Sequence, residues 1–293
     1  MAVMALWGLC SPTCNKHPPS IEFIDVGQSK NNTTNANYGP GDIRSFGAWS
    51  DFNLAAIMHQ FGPLLTLIPM EHDPIRQTTP QREITSESGL HLAFGEYFHP
   101  RLRRSLRHTF QHLDDRAVQR VAPQSQAREE DLFNRELDRV LDDGLPERTT
   151  VLMGVGSDAI TLDQFTPDLS LYAAGEAGRQ RRSLGPNRLP SDLKPSWKWS
   201  HSMQNNVVDQ LEFRKPLAQV NWYMKQHNTR FGFLLTDREL VPIRRLDDNG
   251  DLRLANPIPW TRSGTSQDPE LTVALGLWYL GMIAANDNLY RAP

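Results

Sequence analysis

Apolar residues recur at every fourth position between residues 86 and 113: Leu90, Phe94, Phe98, Leu102, Leu106 and Phe110. Side chains four apart share one face of a helix, so this spacing predicts a helix, with Pro100 breaking or kinking it. A second helical pattern over residues 128–141 carries Leu132, Phe133, Leu137, Val140 and Leu141, and Asp142-Asp143-Gly144 ends it. Beyond it the pattern changes. Residues 150–155 are a β-branched, apolar run and read as a strand, as do residues 165–172, with an Asp inside. Residues 173–190 form a Gly/Arg/Pro loop. Residues 192–199 read as a further strand. Alternation puts Asp192, Lys194, Ser196 and Lys198 on one face and Leu193, Pro195, Trp197 and Trp199 on the other. Pro195 predicts an edge position or a bulge. A helix follows over residues 212–227, with Pro216 marking its first turn. Residues 230–236 and 239–246 are strands joined by a tight turn, and 251–255 adds a short strand. The apolar run 271–285 closes the pattern as a buried helix, shorter than the roughly 20 residues a membrane span needs.

The N-terminal part is different. Residues 1–50 are rich in Asn, Gly, Pro, Ser and Thr and predict an irregular arm with one short strand at 21–26. Residues 50–68 predict a short helix and a strand, and 69–80 a loop. The chain therefore divides into an N-terminal arm and lead-in, residues 1–80, and a single domain, residues 81–293, with its core at about 125–285. The order helix, three strands, helix, two or three strands, helix predicts an α/β fold. Its mixed sheet should hold four to six strands, with helices on both faces and the N-terminal part adding helices to the core.

Composition narrows the function classes. Apolar residues make up 39% of the 293, enough for a sizeable core. Lys plus Arg is 31 against 34 Asp plus Glu, so the net charge of −3 excludes a basic coat over the whole surface but not a local basic patch. Cys10 and Cys14 allow no disulfide framework, which points to a reducing compartment, and lack the second pair of a zinc site. No basic residue precedes the apolar start MAVMALWGLC. The chain is expected to be cytoplasmic or nuclear, not secreted, with no membrane partner. The histidines show no His-Glu-x-x-His spacing, and neither a P-loop nor a Gly-x-Ser-x-Gly motif occurs.

Three short features stand in a telling order: Pro167-Asp168 on one strand, Asp192-Leu193-Lys194 on the next, and Gln219-Val220-Asn221-Trp222-Tyr223 on the helix after it. Alternation sets Asp192 and Lys194 on one face, and Asp168 on a neighbouring strand can bring a second carboxylate beside Asp192. Together these features resemble the PD-(D/E)XK nuclease-like superfamily over roughly residues 125–285; Gln-x-x-x-Tyr recurs in one branch of it. The block QVNWYMKQHNTRFGFLLTDRELVPIRRL is also similar to a widespread fungal family of uncharacterised proteins.

The resemblance implies a mixed-sheet nuclease-like core and an enzyme that acts on nucleic acid, DNA or RNA, most simply by metal-dependent phosphodiester cleavage. Asp168 and Asp192 would hold Mg²⁺ or Mn²⁺, an oxygen-rich site. Lys194 would steer water or neutralise charge on the phosphate, and Gln219 and Tyr223 would face the same pocket. A helix glutamate is the expected fourth member: Glu136 or Glu130, with Glu87 or Glu96 if the earlier helix pairs with the site. Lys198, further along the same strand face, is expected to lie away from the carboxylates and to matter less. Arg179, Arg181, Arg182 and Arg188 adjoin the Asp-x-Lys strand and can bind phosphates. Arg101, Arg103, Arg104, Arg107 and His108 read as a solvated helix face, and Trp197 and Trp199 as core rather than base-stacking residues. Two other functions share this fold. One is an arginine-containing cyclodipeptide synthase of fungal secondary metabolism, using aminoacyl-tRNA and no metal; the other is a degenerate nuclease domain that only binds a partner.

Overall fold

The computed structural model describes residues 22–23, 27, 29–67, 83–121, 135, 137–145, 147–174, 185–265 and 268–292. Helix α1 is Leu54–Leu67, α2 Glu87–Tyr97, α3 His99–Val121, α4 Gln210–Gln226 and α5 Val273–Ala285. The strands are β1 Glu22–Phe23, β2 Ser45–Ala48, β3 Glu83–Ile84, β4 Val151–Val155, β5 Leu169–Ala173, β6 Ser191–Leu193, β7 Phe231–Leu235, β8 Glu239–Arg245, β9 Asp251–Leu254 and β10 Ile258–Pro259.

Eight of these strands form one mixed open sheet in the order β2-β9-β8-β7-β6-β5-β4, with β10 added antiparallel on β8; β1 and β3 pair separately. The pairs β4–β5, β5–β6, β7–β8 and β8–β9 are antiparallel, while β6–β7 and β2–β9 are parallel. A parallel pair needs a crossover, and α4 supplies the one between β6 and β7. Strand alternation divides the core by face. Phe233, Leu235 and Leu240 join the larger cluster with α1, α2, α3 and α5. Leu234, Val241 and Ile243 join Phe213, Leu217 and Val220 of α4 on the other. Helices thus cover both faces of an α/β fold, as expected.

Several expectations need correction. The sheet has eight strands rather than four to six, because β2 docks parallel on β9 through Ser45↔Asp251 and Ala48↔Leu254 and β10 pairs antiparallel with β8 through Ile258↔Leu240. Residues 54–67 are helical throughout, and Ile57, Phe61, Leu64 and Leu65 lie in the core. Pro100 does separate two helices: it falls in the first turn of α3, where a missing N–H costs nothing. Pro216 lies inside α4 rather than in its first turn. Its ring removes a donor from the previous turn. The Glu212 carbonyl freed there is taken from outside the helix by Asn32 Nδ2 at 3.4 Å, and its neighbour Phe213 O accepts Trp199 Nε1 at 3.0 Å. Helix α4 ends where Asn228 adopts a positive φ of 51° and the Thr229 amide reaches back to Met224 O at 2.8 Å. The expected helix over 128–141 lies largely outside the described residues; its described end closes with the π turn Val140–Gly144. No described helix is long and apolar enough to cross a membrane.

Candidate active site

The expected strand over residues 192–199 stops at Leu193. Pro195 cannot continue the ladder, and Asp237 takes hold of the next residue: the Ser196 amide donates to Oδ1 at 2.6 Å and its hydroxyl to Oδ2 at 2.7 Å. The chain then turns helically, with the Lys198 and Trp199 amides donating to Pro195 O at 2.9 and 3.1 Å. Asp192 is the middle residue of β6, in register with Leu234 of β7, and so points toward α4. Lys194 follows the strand and is held by its amide on Leu235 O at 2.9 Å.

Asp168 precedes β5 by one residue rather than lying inside a strand. Its carbonyl accepts the Gly156 amide at 3.1 Å. A side chain on Gly156 would strike Pro167 O, since a Cβ there lies 1.6 Å from it, so this close approach requires glycine. Asp168 Oδ2 accepts the Leu193 amide at 2.8 Å, which locks it beside β6.

The structure brings Asp168, Asp192, Lys194, Gln219 and Tyr223 together. Lys194 Nζ lies 2.7 Å from Asp192 Oδ2. That pair lacks hydrogen-bond alignment, so Asp192 Oδ2 is a buried carboxylate oxygen with no hydrogen-bond partner. Gln219 Nε2 donates to Tyr223 Oη at 3.0 Å and reaches Asp192 Oδ1 at 3.4 Å. One turn of α4 therefore presents both side chains to Asp192.

The glutamate at the site is Glu87. Ser86 caps α2, its hydroxyl accepting the Gly89 amide at 3.1 Å, and this fixes Glu87 in the first turn, where a carboxylate suits the helix dipole. Lys194 Nζ donates to Glu87 Oε1 and Lys198 Nζ to Oε2, each at 2.9 Å. Lys198 is thus at the site and not remote from it, because the turn after Pro195 returns it to the level of Lys194. Glu96 stands nine residues along the same helix, about 13 Å away along its axis. Glu130, Glu136, Arg179, Arg181, Arg182, Cys10 and Cys14 lie outside the described residues. Arg188, grouped with the loop arginines in the sequence, is buried on Asp287 instead. Trp199 is fully buried, and Trp197 packs against the core as a partly buried residue.

Two residues at the site carried no motif. His91, one turn after Glu87, sets Nε2 3.3 Å from Asp168 Oδ2. Tyr38 of the N-terminal segment is buried with its phenol within the field of Asp192 and Lys194. Asn32 binds that segment down, its amide on Glu212 Oε2 and its Nδ2 on Lys198 O, both at 2.8 Å. The Glu87-x-x-x-His91 spacing behind a serine cap was the available signal for α2; nothing local marked Tyr38.

Burial and charge split the aspartates. Burial favours neutral Asp168, but the His91 hydrogen bond, Asp192 and Lys194 outweigh it and hold the carboxyl down at about 2. Asp192 goes the other way: burial and the charge of Asp168 push it well up against the pull of Lys194. As pH rises, Asp168 therefore loses its proton before Asp192, and the two titrate as a pair. Burial works against the Lys194 ammonium, yet Asp192, Glu87 and Asp168 together raise its pKa and keep it charged. Burial raises Tyr223, with Asp192 adding to it, so its hydroxyl stays neutral.

Among the described residues no group of three His, Cys, Asp or Glu side chains has the arrangement of a complete metal site. Asp168 and Asp192 supply oxygen donors of the kind a hard divalent cation takes, with Asp192 Oδ2 facing the Lys194 ammonium and taking no hydrogen bond. Compared with protein-family models, curated proteins and solved structures, the chain matches none.

Proposed function

We propose that the protein is a metal-dependent phosphodiesterase acting on nucleic acid, on a PD-(D/E)XK nuclease-like core. One observation carries the reading: Asp168 and the Asp192–Lys194 pair, from two separate stretches of backbone, converge, with a buried Asp192 oxygen that faces the Lys194 ammonium but takes no hydrogen bond. The motif lies just before β5, on and just after β6, and on the crossover helix α4, in the order that the resemblance implies.

Asp168 and Asp192 would hold Mg²⁺ or Mn²⁺. Such an ion, when bound, polarises a phosphate oxygen and lowers the pKa of a water. The chain's own groups do the rest. Lys194 stays protonated and so serves as a fixed positive charge for the phosphate oxygens rather than as a base. Glu87 and Asp192 hold its ammonium in place. Gln219 and Tyr223 orient Asp192 from α4. Leu193 N and His91 orient Asp168.

The test is incubation of the purified chain with single-stranded and duplex DNA and RNA, with Mg²⁺, Mn²⁺ or EDTA. Scission that needs the metal and is lost in Asp192→Asn supports the proposal. No scission under any of these conditions overturns it. Joining of amino acids from arginine-charged tRNA without scission would overturn it in favour of the synthase.

A further inference from the structure

The two lysines on Glu87 differ in how far they are committed. The Lys194 side chain is 9% exposed and is held by Asp192 as well as Glu87. The Lys198 side chain is 23% exposed and meets Glu87 from the solvent side. Exposure rises outward across the site, from 2% at Asp192 to 33% at Glu87 and 38% at His91. The open side of the site therefore runs over Glu87, His91, Asp168 and Lys198, and a polyanion entering there meets the Lys198 ammonium at the same depth as Asp168 and before the buried Asp192 and Lys194.

A partly exposed ion pair is weak and its long side chain is free to exchange partners. A lysine binds phosphate as a point charge on a flexible stem. Glu87 loses little when Lys198 leaves it, because Lys194 still holds the other oxygen at 2.9 Å. We infer that Lys198 is a substrate-binding residue that leaves Glu87 to grip a non-scissile phosphate, next to the phosphate that Lys194 serves. The inference rests on the nucleic-acid reading above and names within it a specific requirement: the substrate presents at least two adjacent phosphates.

Fluorescence anisotropy of labelled single-stranded DNA and RNA oligonucleotides, in EDTA over a range of KCl concentrations, counts the phosphate contacts. Losing one contact flattens the slope of log K against log salt by about 0.7 for a single strand. Lys198→Met keeps the stem and removes the charge, and is expected to show that flattening; Lys198→Arg is expected to restore the slope. In turnover with Mg²⁺, Lys198→Met should raise KM about tenfold, the scale of one charge-assisted contact, and lower kcat far less. A purely structural lysine would change melting temperature and kcat and leave the slope intact, and that result overturns the inference. An unchanged slope and KM in Lys198→Met, in a chain whose wild type binds and cleaves, overturns it alone. A wild-type chain that neither binds nor cleaves overturns the inference together with the reading it rests on. Binding without cleavage ends the hydrolytic reading and leaves the salt slope to decide for or against Lys198.

Discussion

Two buried polar clusters flank β6 and treat charge in opposite ways. Ahead of the strand, Arg188 is enclosed and answered on every side. Its guanidinium donates to the carbonyls of Ala284 and Ala285 at 3.0 and 3.2 Å and to Thr149 Oγ1 at 3.2 Å. It pairs with Asp287 and lies 3.9 Å over the Tyr290 ring. Asn187 beside it donates to Leu169 O at 3.0 Å and accepts the Leu171 and Leu189 amides at 3.0 and 3.1 Å. These contacts tie the end of α5 and the segment after it to the sheet. Behind the strand, Glu87, Asp168 and Asp192 crowd around the Lys194 ammonium, and one buried aspartate oxygen has that charge beside it but no hydrogen bond. Burial is common to both clusters; hydrogen-bond satisfaction of the charged groups is not. A satisfied network rigidifies a fold, whereas an unsatisfied one persists at a cost that a bound ligand can recover.

The largest effect should come from breaking the satisfied cluster. Arg188→Met takes the guanidinium away from Asp287 and from the Ala284 and Ala285 carbonyls, and losing one partner of a buried pair costs about 3–5 kcal/mol. Urea unfolding at pH 7 should show that loss, while turnover per folded molecule is retained. Lys194→Met is expected to do the reverse. Turnover should fall by about 10²–10³, the cost of removing a preorganised charge that acts on the transition state, with a smaller loss of stability than in Arg188→Met. Equal unfolding losses in the two variants would erase the distinction between the clusters.

How far each cluster was legible in the sequence follows from how local it is. The four-residue spacing from Leu90 to Phe110 carried α2 and α3, and the apolar runs around Val151, Phe233 and Ile243 carried β4, β7 and β8. Ser45–Ala48 was not legible as a strand, because two exposed and two half-buried residues in a Gly- and Asn-rich stretch gain their ladder only from β9, some two hundred residues on. Asp168, Asp192, Lys194, Gln219 and Tyr223 were legible because each sits on a short local motif. The partners that α2 and the N-terminal segment bring, Glu87, His91 and Tyr38, depend on how layers stack, which spacing does not encode. Lys198 was misplaced for a local reason. The alternation from Asp192 to Lys198 imitates a strand, while Pro195 and the grip of Asp237 on Ser196 make a turn.

His227 probes the weak point of the satisfied cluster. Its Nδ1 accepts the Asn187 amide at 3.2 Å, while its buried Nε2 has no partner. Burial holds its pKa down at about 4, against 6.5 for a free histidine. The folded value lies below the unfolded one, so the unfolded chain binds the proton first as pH falls. Stability is therefore intact above pH 6.5 and drains away between pH 6.5 and pH 4, by on the order of 3 kcal/mol at the lower end. His227→Gln removes the titrating group and should flatten the dependence of urea midpoint on pH across that window. A slope identical to wild type would show that His227 is not the group responsible.

The smallest expected effect has the opposite sign, and it separates the clusters most cleanly. Burial and the Asp168 charge raise the Asp192 pKa above its unfolded value. For a carboxyl shifted upward, stability is full below the unfolded pKa and falls as pH rises toward the folded one, so ionised Asp192 is a liability at pH 7. Asn has the same shape and carries no charge. Asp192→Asn should therefore raise the melting temperature while turnover is lost, as when a strained functional group is relieved. The matching change in the other cluster, Asp287→Asn, takes away the counter-charge of buried Arg188 and should lower the melting temperature. Thermal melts of the two variants at pH 7, side by side, read the sign directly. A fall in Asp192→Asn as large as that in Asp287→Asn would make Asp192 a structural partner of Lys194, with no liability for a ligand to relieve.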